Sequence, residues 1–427
     1  MMRRFFSFLL LSFFLAVGCG WGQRDRFVTV DDGQLVRNGA PYYFVGTNFW
    51  YGPILGSVGE GGNRERLTAE LDSLKAMGVD NLRILVGADA GGANARSVYP
   101  CLQGPSGELN DTLLDGLDYM MAELEKRDML AVLYLTNSWD WSGGYTYYLK
   151  RIGYDDAPNS TEQYQAYVDF SANFLREQQA QSLFFDFVKK IVTRTNRYTQ
   201  QPYTDSPAIM AWQICNEPRP FSKDTKKAFA AWISQTARLI KQLDPHHLVS
   251  TGTEGLYGCE SDELLLEQIS NDLNVDYLTL HIWPVNWRWS SAGSLYTALP
   301  NVFVKSEGYL NLHLRMVQKL QKPLVIEEFG YPRNQNFRQP ETGTSYRDAF
   351  YNFIFNKVVE SKRQGGVIAG CNFWGWGGAG RSRAADWQRG DDFLCDPPHE
   401  TQGWYSVYDS DTTTIRLIEK TAAALRQ

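Results

Sequence analysis

The amino-acid sequence predicts an α/β protein built as a single (β/α)8 TIM-barrel domain. Eight apolar runs of strand length alternate along the chain with stretches of helical periodicity. The runs are rich in Val, Ile and Leu without polar alternation, which is typical of parallel strands covered on both faces. No internal repeat, Pro-rich or Ser-rich linker, or low-complexity tract marks a second domain.

The eight predicted strands have apolar centres, and most of them end in a polar or aromatic residue. They are Tyr42–Phe49, Asn81–Val86, Leu130–Thr136, Ile209–Asn216, His247–Thr253, Tyr277–Trp283, Pro323–Phe329 and Gly370–Trp374. Apolar residues at three- and four-residue steps predict helices at Arg64–Met77, Leu113–Arg127, Phe184–Arg197, Lys226–Leu243, Tyr309–Leu320 and Ser345–Arg363. Crossovers through these helices make the strands parallel, so we expect the barrel domain to cover residues 26–427.

Three connections between the predicted elements are long. They cover residues 137–183, 284–308 and 375–411, after strands three, six and eight. Such connections lie at the carboxyl face of a barrel, where its functional sites form. They hold seven tryptophans: Trp139, Trp141, Trp287, Trp289, Trp376, Trp387 and Trp404. An aromatic-lined groove at this face suits a polymer better than a small metabolite.

The first 18 residues have the pattern of an export signal. Met1 to Arg4 is positively charged, and Phe5 to Val17 is apolar but too short for a stable membrane-spanning helix. A small residue then precedes Cys19, as in bacterial lipoprotein signals, where that cysteine becomes the lipidated N-terminus. We expect a signal peptide at residues 1–18 with a lipid on Cys19; the alternative is an ordinary secretory signal. Both predict export, either as a cell-envelope lipoprotein at the outer membrane or cell surface, or as a secreted protein.

Charge and cysteine spacing exclude several kinds of partner. The formal net charge is −6 and there is no Lys/Arg run, which argues against a nucleic-acid partner. No CxxC or Cys/His spacing indicates a metal site, so we expect neither metal nor cofactor. Cys101, Cys259 and Cys395 fall in predicted loops, where an exported protein could form one disulfide. We expect a monomer.

Two glutamates at strand ends carry the main functional signal. Glu217 follows the fourth predicted strand, and Glu328 lies at the end of the seventh. A buried strand that turns from apolar residues to glutamate places the carboxylate at the barrel mouth. Two such carboxylates are what acid-assisted cleavage of a glycosidic bond requires. Other strand ends add Arg83, Asn137, Asn216, His281, Trp283 and Trp374.

On these residues the chain resembles glycoside hydrolase family 5, in the clan of retaining (β/α)8 glycosidases. The resemblance rests on Asn216-Glu217-Pro218 and Glu328-Phe329-Gly330, together with Arg83, His281 and Trp374. The branch of endo-β-1,4-mannanases shared by bacteria, plants and fungi is similar in further segments, at residues 46–50, 281–287, 372–378 and 396–407. The resemblance implies endo-acting hydrolysis of β-1,4-mannosidic linkages in mannan, galactomannan or glucomannan by double displacement.

The resemblance also implies a role for each site residue. Glu217 would be the acid/base, and Glu328 would be the nucleophile that forms a glycosyl-enzyme. Arg83 would keep Glu328 ionised, and the pKa of Glu217, which faces a negative neighbour, should be raised. Substrate-binding residues would be Asn216, His281, Trp283 and Asn137, with Trp374 as the floor under the sugar, Arg219 on the leaving-group side, and Trp50, Trp139 and Trp287 as stacking faces.

Two positions near the nucleophile need separate treatment. Many members of the family have a tyrosine two residues after the histidine of strand six, where this chain has Trp283. An indole N–H can donate a hydrogen bond but cannot accept one, so the support of Glu328 should be altered. Glu327 directly precedes Glu328, and strand alternation predicts that it faces the helical layer in a structural ion pair.

Several other functions fit part of the pattern. The enzyme could be a β-1,4-glucanase, an exo-acting mannosidase if a long loop blocks one end of the cleft, or a transferase to sugar acceptors. A different class would be a non-catalytic surface lipoprotein that binds glycans, which the presence of both glutamates disfavours. A metal-dependent hydrolase is disfavoured because the five histidines form no cluster at ligand spacing.

Overall fold

The computed structural model of the chain describes residues 26–91, 96–336 and 341–427. Its centre is a barrel of eight parallel strands, numbered one to eight along the chain. They are Phe44–Asn48, Asn81–Leu85, Leu130–Tyr134, Ile209–Gln213, Leu248–Ser250, Leu278–Ile282, Leu324–Phe329 and Ile368–Phe373. The predicted (β/α)8 fold class is confirmed.

The hydrogen-bonded ladder joins neighbouring strands around the barrel and leaves one seam. Its order is five, four, three, two, one, eight, seven, six. Two backbone hydrogen bonds cross the seam between strands five and six, from Asp276 N to Val249 O at 2.8 Å and from His281 N to Glu254 O at 3.1 Å. One backbone hydrogen bond therefore bridges the seam near each end, and the sheet is nearly closed.

Eleven α-helices lie in the described residues, and they surround the barrel or fill its long connections. They are Gly52–Gly56, Arg64–Met77, Asp111–Lys126, Tyr145–Arg151, Tyr164–Ser171, Gln178–Val192, Lys226–Leu243, Glu263–Ser270, Leu299–Leu320, Ser345–Gln364 and Thr412–Arg426. Side-chain caps begin some of them; Asp262, for example, accepts from the backbone N–H groups of Leu264 and Leu265.

Several boundaries differ from the sequence prediction; the helix predicted at Phe184–Arg197, for example, is Gln178–Val192, and two other differences have clear physical reasons. The helix predicted from Tyr309 begins at Leu299, with proline in its first turn, where proline is well tolerated. The connection after strand six is therefore shorter than predicted. Strand five ends at Ser250 rather than Thr253, because the chain turns at Gly252, whose φ is +79°.

Two further small sheets were not predicted. Thr29–Asp31, Gln34–Arg37 and Ala40–Pro41 form an antiparallel sheet before the barrel, and Trp376–Gly378 pairs with Val407–Tyr408 after it. Val28 and Leu35 join the apolar cluster inside the barrel, with residues such as Phe44, Leu130 and Val325. The barrel interior is thus a packed core covered at its amino end, and a pocket can form only at the carboxyl end.

The five described cysteines, Cys101, Cys215, Cys259, Cys371 and Cys395, are all unpaired. The predicted disulfide among three of them is therefore absent from the structure. No helix within the described ranges combines the length and apolar character needed to cross a membrane. The predicted signal peptide and Cys19 lie outside the described residues.

Candidate active site

A cavity of about 480 Å³ opens at the carboxyl ends of the barrel strands. Both sequence-predicted glutamates, Glu217 and Glu328, line it. One carboxylate oxygen of each lies within 4.8 Å of the other and of a ring nitrogen of His281. Strands four, six and seven thus bring together three groups that are at least 47 residues apart in the chain.

The backbone at Glu217 turns sharply at the end of strand four. Its φ is +47°, in the left-handed region that residues with a side chain rarely adopt. The Glu217 N–H donates to the carbonyl of Gly252 at 3.0 Å, and the Glu217 carbonyl accepts from Ser138 Oγ at 2.5 Å. These contacts from the neighbouring connections hold a conformation that would otherwise cost free energy, as is common at functional sites.

Arg83 connects the nucleophile candidate to three amide side chains. It is fully buried on strand two and donates to Gln213 Oε1 at 2.8 Å, to Asn48 Oδ1 at 3.1 Å and to Asn216 Oδ1 at 2.8 Å. Its Nη1 also donates to Glu328 Oε1. The guanidinium is therefore locked in one orientation, with its charge against Glu328.

Glu328 is surrounded by hydrogen-bond donors. Besides Arg83, the indole Nε1 of Trp283 donates to its Oε2 at 3.1 Å, and His281 Nδ1 lies 3.2 Å from the same oxygen. Burial, with the charge of Glu217, raises the pKa of Glu328 above its usual value, although the charges of His281 and Arg83 act in the opposite direction. Because every contact offers a proton to the carboxyl oxygens, the geometry suits the ionised form.

Glu217 is held by a tryptophan and a histidine. Trp139 Nε1 donates to its Oε2 at 2.7 Å, and His281 Nδ1 lies 2.7 Å from its Oε1. Burial lowers the pKa of His281, but Glu328, Glu217 and Glu327 together outweigh burial and raise that pKa to about 10. The surrounding carboxylates therefore favour the protonated form of the His281 ring.

This second cation corrects the predicted pKa of Glu217. Burial would raise that pKa, but the hydrogen bond and charge of His281, with Arg219 and Trp139, lower it below the usual value. The sequence argument counted Arg83 as the cation of the site and did not assign a charge to His281. His281 Nδ1 and Glu217 Oε1, 2.7 Å apart, are therefore placed to share a proton.

Glu327 also differs from its prediction, because strand seven contains a bulge. The pairing register with strand six jumps between Ile326 and Glu328, so alternation fails at Glu327. Its fully buried carboxylate accepts from Gln213 Nε2 at 2.7 Å and lies 3.5 Å from Arg83 Nε. Glu327 therefore faces the barrel interior beside the site, and the ion pair that was predicted for it is made there.

The side of the pocket above strands four to six carries a second charged pair. Arg219 binds Glu254 with Nε to Oε2 at 2.7 Å, and its guanidinium lies 5.4 Å from the Trp139 ring. Burial raises the pKa of Glu254 to about 7, against the opposing charge of Arg219. Trp287 and the half-exposed Tyr164 line the same side. Sequence reasoning missed Glu254 and Tyr164, although Glu254 follows strand five and Tyr164 lies in a long connection.

The opposite side is closed by two connections that meet. Trp141, after strand three, stacks on His399, after strand eight, with ring centroids 6.0 Å apart. Glu400 lines the pocket beside them. Burial lowers the pKa of His399 to about 3 and raises the pKa of Glu400. Trp141, His399 and Glu400 close the pocket on the side of strands one and two, which lie between strands eight and three. We call these three residues the strand one–two wall.

Trp374 and Trp283 form an aromatic corner next to Glu328. Trp374, from the end of strand eight, lines the pocket, and Trp283 contacts it edge-on with centroids 5.7 Å apart. The indole N–H of Trp374 has no hydrogen-bond partner in the described parts of the chain. The buried indole N–H is not accessible from the pocket, so Trp374 offers a sugar ring an apolar face.

Two predicted sugar contacts lie behind the pocket instead of in it. Trp50 is 1% exposed, packs between Trp141 and Phe393, and donates through Nε1 to the Cys395 carbonyl at 2.8 Å. Its predicted role as a stacking face is wrong in this structure, because strand one directs it under the wall.

Asn137 is likewise fully buried and makes hydrogen bonds to its own neighbours. Its Oδ1 accepts from Trp139 N and from Asn216 Nδ2, each at 3.1 Å, and its Nδ2 donates to Ser142 Oγ at 3.0 Å. The predicted direct contact of Asn137 with substrate is therefore wrong. The side chain instead positions Asn216 and Trp139, which do line the pocket.

Glu217, His281 and Glu328 are also near enough to one another to surround a cation. Hydrogen-bond donors already occupy both carboxylates, since Trp139 Nε1 donates to Glu217 Oε2 and Trp283 Nε1 donates to Glu328 Oε2. Arg83 already supplies a positive charge to Glu328. The cluster is therefore arranged to hold protons and to face a substrate.

A (β/α)8 barrel with this pair of carboxylates at its carboxyl face defines a glycoside hydrolase. The chain belongs to glycoside hydrolase family 5: residues 25–427 match the family profile described as GH family 5 beta-mannosidase-like. A glycoside hydrolase family 5 mannosidase from Rhizomucor miehei is similar in structure, with 32% sequence identity and a TM-score of 0.86 over 95% of this chain and 99% of that chain.

Two further relatives are named as mannan-degrading enzymes. Mannan endo-1,4-beta-mannosidase 1 of Oryza sativa subsp. japonica is 27% identical over 380 residues, which cover 84% of this chain and 79% of that relative. The endo-1,4-beta-mannanase from Rhizomucor miehei has the same fold, with 21% identity and a TM-score of 0.66 over 94% of this chain and 99% of that one.

Proposed function

We propose that the protein hydrolyses β-1,4-mannosidic linkages by a retaining double displacement. The observation that carries the proposal is the spacing of Glu217 and Glu328, whose carboxylate oxygens approach within 4.8 Å. Retaining glycosidases hold their two carboxyl groups about 5–5.5 Å apart, whereas inverting enzymes need roughly 6.5–9.5 Å for an intervening water. The shorter spacing leaves room for direct attack by a carboxylate on the sugar.

Each glutamate has a defined step in this mechanism. Glu328 Oε forms a bond to the anomeric carbon as the glycosidic C–O bond breaks, and Glu217 gives a proton to the leaving oxygen. Water then attacks the glycosyl-enzyme and gives its proton to Glu217, and Glu328 leaves as a carboxylate. Arg83 and Trp283 stabilise the negative charge of Glu328 before the first step and after the second.

Mannose as the recognised sugar is supported by the names of the relatives. The rice relative is a mannan endo-1,4-beta-mannosidase, and the Rhizomucor miehei protein with a TM-score of 0.86 is a family 5 mannosidase. The pocket offers Trp374 for stacking and Asn216, whose amide Arg83 orients, for a sugar hydroxyl. Mannan, galactomannan and glucomannan are the polymers we propose as sources of the linkage.

The position of the strand one–two wall favours exo action as a second candidate. An endo-acting enzyme needs a cleft open at both ends, but the Trp141–His399 contact and Glu400 close one side of this pocket. The other side, with Arg219, Trp287 and the 52%-exposed Tyr164, borders solvent. We infer that the terminal mannose of a chain enters against the wall and the remainder leaves past Arg219. Endo action stays the sequence prediction.

We further propose that the protein acts outside the cytoplasm as a monomer. The charged and apolar pattern of residues 1–18 and the lipobox-like position of Cys19 support export, with or without a lipid anchor. The substrate supports the same location, since mannans are extracellular polysaccharides. A lipid at Cys19 would be detected by mass spectrometry of the mature N-terminus.

Paired variants test the mechanism. Glu328→Ala should abolish turnover while thermal unfolding and sugar binding change little; substantial residual hydrolysis would remove Glu328 from the role of nucleophile. Glu217→Gln should slow mannobiose cleavage by about 10²–10⁴-fold, because general acid catalysis is lost. The same variant should form the glycosyl-enzyme normally from a dinitrophenyl mannoside, which needs no acid. Equal slowing on both substrates would mean that Glu217 is not the acid.

Product analysis separates the two modes of action. On linear mannan, release of mannose alone indicates exo action, and mixed short oligosaccharides with a fast fall in viscosity indicate endo action. A soluble cellulose derivative run in parallel tests the glucanase alternative. Hydrolysis of that derivative alone would contradict mannose recognition and leave the double-glutamate mechanism standing.

A further inference from the structure

Glu327 is a buried carboxylate next to the active site to which the proposed mechanism gives no role. It is 0% exposed, and the bulge in strand seven turns it toward the barrel interior. Gln213 Nε2 donates to its Oε2 at 2.7 Å, which fixes the orientation of the carboxylate. Its Oε1 has no hydrogen-bond partner among the described residues. Burying a carboxylate with one oxygen unpaired costs free energy unless a nearby cation compensates its charge.

Arg83 Nε lies 3.5 Å from Glu327, and the imidazole ring of His281 is a second basic group near it, with carboxylates on both edges. Its Nδ1 lies 2.7 Å from Glu217 and 3.2 Å from Glu328, and its Nε2 lies 4.0 Å from Glu327 Oε2. Nε2, like Glu327 Oε1, has no hydrogen-bond partner within the described parts of the chain. The Glu327 oxygen nearest to Nε2 is Oε2, which also accepts from Gln213, and the 4.0 Å separation is an electrostatic contact without a hydrogen bond.

The charges around His281 come from every neighbouring strand. Acidic groups face it from strands four, five and seven, and the one other cation at short range is on strand two; the phenols of strands three and six complete the set. These groups are Glu217, Glu254, Glu327, Glu328, Arg83, Tyr134 and Tyr277. Burial raises the pKa of both phenols well above the usual value, so they stay neutral. Of the carboxylates, Glu327 alone lies on the Nε2 edge.

We propose that Glu327 is a positioning residue that holds a proton on Nε2 of His281, so that Nδ1 is the nitrogen that exchanges its proton with Glu217. This inference rests on the proposed function and deepens it. In the first half-reaction, the Nδ1–H bond breaks as a proton moves to Glu217 Oε1, and Glu217 passes that proton to the leaving oxygen. In the second half-reaction, the proton from water returns by the same route. No proton is gained or lost over the cycle.

The arrangement explains why the acid/base candidate can be ionised before substrate binds. Glu217 does not need to store its own proton, since His281 holds it 2.7 Å away. Without a carboxylate on the Nε2 edge, the neutral ring could keep its one proton on Nδ1 and would then be unable to take a second from Glu217. Glu327 therefore acts on the ring as a buried carboxylate acts on the histidine of a catalytic triad, by selecting the tautomer.

The test compares Glu327→Gln with the wild-type enzyme in pH–rate profiles of kcat/KM. The basic limb reports loss of the proton shared by His281 and Glu217. A negative charge 4.0 Å from the ring stabilises that proton, so Glu327→Gln should move the basic limb down by about three pH units, from Coulomb's law at an effective dielectric constant of about 20. Glu327→Asp, which keeps the charge, should restore most of the shift. An unmoved basic limb in folded Glu327→Gln overturns the inference.

Leaving-group dependence separates a proton-handling role from a structural one. Glu327→Gln should lose activity on mannobiose and keep glycosyl-enzyme formation from a dinitrophenyl mannoside. Asp244→Asn is the matched control, because Asp244 Oδ2 is a buried carboxylate 2.6 Å from His247 Nδ1 outside the pocket. It should lower thermal stability without moving either limb. Equal loss by Glu327→Gln on both substrates would indicate a packing role and overturn the inference.

The tautomer can be measured in the wild-type enzyme, which avoids any variant that fails to fold. With ¹⁵N-labelled histidine, the His281 ring should be doubly protonated at pH 7 and should keep its Nε2 proton when it becomes neutral at higher pH. A ring that is neutral at pH 7, or that keeps its proton on Nδ1, overturns the inference. The proposed function is tested separately, by hydrolysis of mannosides with the wild-type enzyme and with Glu217→Gln. If both give the expected results, the proposed function stands whatever the Glu327 variants and the ¹⁵N measurement show.

Discussion

The indole N–H of Trp283 donates a hydrogen bond to Glu328, and its removal gives a quantitative prediction. Trp283→Phe keeps an aromatic ring against Trp374 and Tyr405 but removes the N–H that lies 3.1 Å from Glu328 Oε2. A hydrogen bond to a charged group contributes about 1.5–3 kcal/mol. The 3.1 Å distance is at the long end of the N–H···O range, so the lower part of that interval applies.

The magnitude follows from the link between hydrogen bonding and ionisation. One pKa unit corresponds to about 1.4 kcal/mol, so the loss of a donor to the ionised form should raise the pKa of Glu328 by about one unit. The nucleophile must be ionised to attack. The acidic limb of the kcat/KM profile should therefore move up by about one pH unit, while the basic limb stays in place.

The assay is initial-rate hydrolysis of mannobiose between pH 3 and pH 9, with thermal unfolding measured in the same buffers. Trp232→Phe is the matched control, because Trp232 is a buried tryptophan outside the pocket whose indole N–H lacks a partner in the described chain. It should leave both limbs unmoved. An acidic limb that shifts equally in the two variants, or in neither, would refute the assigned contact between Trp283 and the nucleophile.

Two further predictions concern the wall and the stability of the barrel. Trp141→Ala combined with His399→Ala should open the closed end of the pocket, so that products from linear mannan change from mannose to mixed oligosaccharides; an unchanged product pattern would show that the wall does not limit chain entry. Asp411→Ala should lower the free energy of unfolding by about 3–5 kcal/mol, because the buried guanidinium groups of Arg333 and Arg347 lose a shared partner at 2.6–2.8 Å. Burial raises the pKa of Asp411, but Arg347 and Arg333 lower it overall, so its contribution is present above its unfolded pKa of about 4 and is lost as the pH falls through the lower folded value. A variant as stable as the wild type in thermal unfolding at pH 7 would contradict this assignment.

The barrel and the two carboxylates were accessible from the sequence because both depend on local patterns. A strand covered on both faces must be apolar along its whole length, and its last residue must be able to face water or substrate. Glu217 and Glu328 satisfy this condition at strands four and seven, and the structure places both in one pocket. Element boundaries were less accurate where a glycine or proline changed the backbone, as at Gly252 and before Tyr309.

The use of the aromatic residues could not be predicted from their positions. Trp50 and Trp141 both follow barrel strands, yet Trp50 is buried beneath the wall and Trp141 lines the pocket. The wall itself forms between residues 258 positions apart, Trp141 and His399. Which of the two tryptophans lines the pocket depends on how two long connections pack on each other, and no local pattern in either connection contains that information.

Apolar periodicity and strand-end chemistry thus determined the fold class, the location of the site and its two candidate carboxylates, since these follow from interactions between near neighbours in the chain. Tertiary structure decided the electrostatics. A single bulge turns Glu327 inward, and the closure of strands six and seven brings His281 between three carboxylates. Charge interactions depend on distances of a few ångströms in a buried environment. Such distances are set only when the strands of the barrel come together.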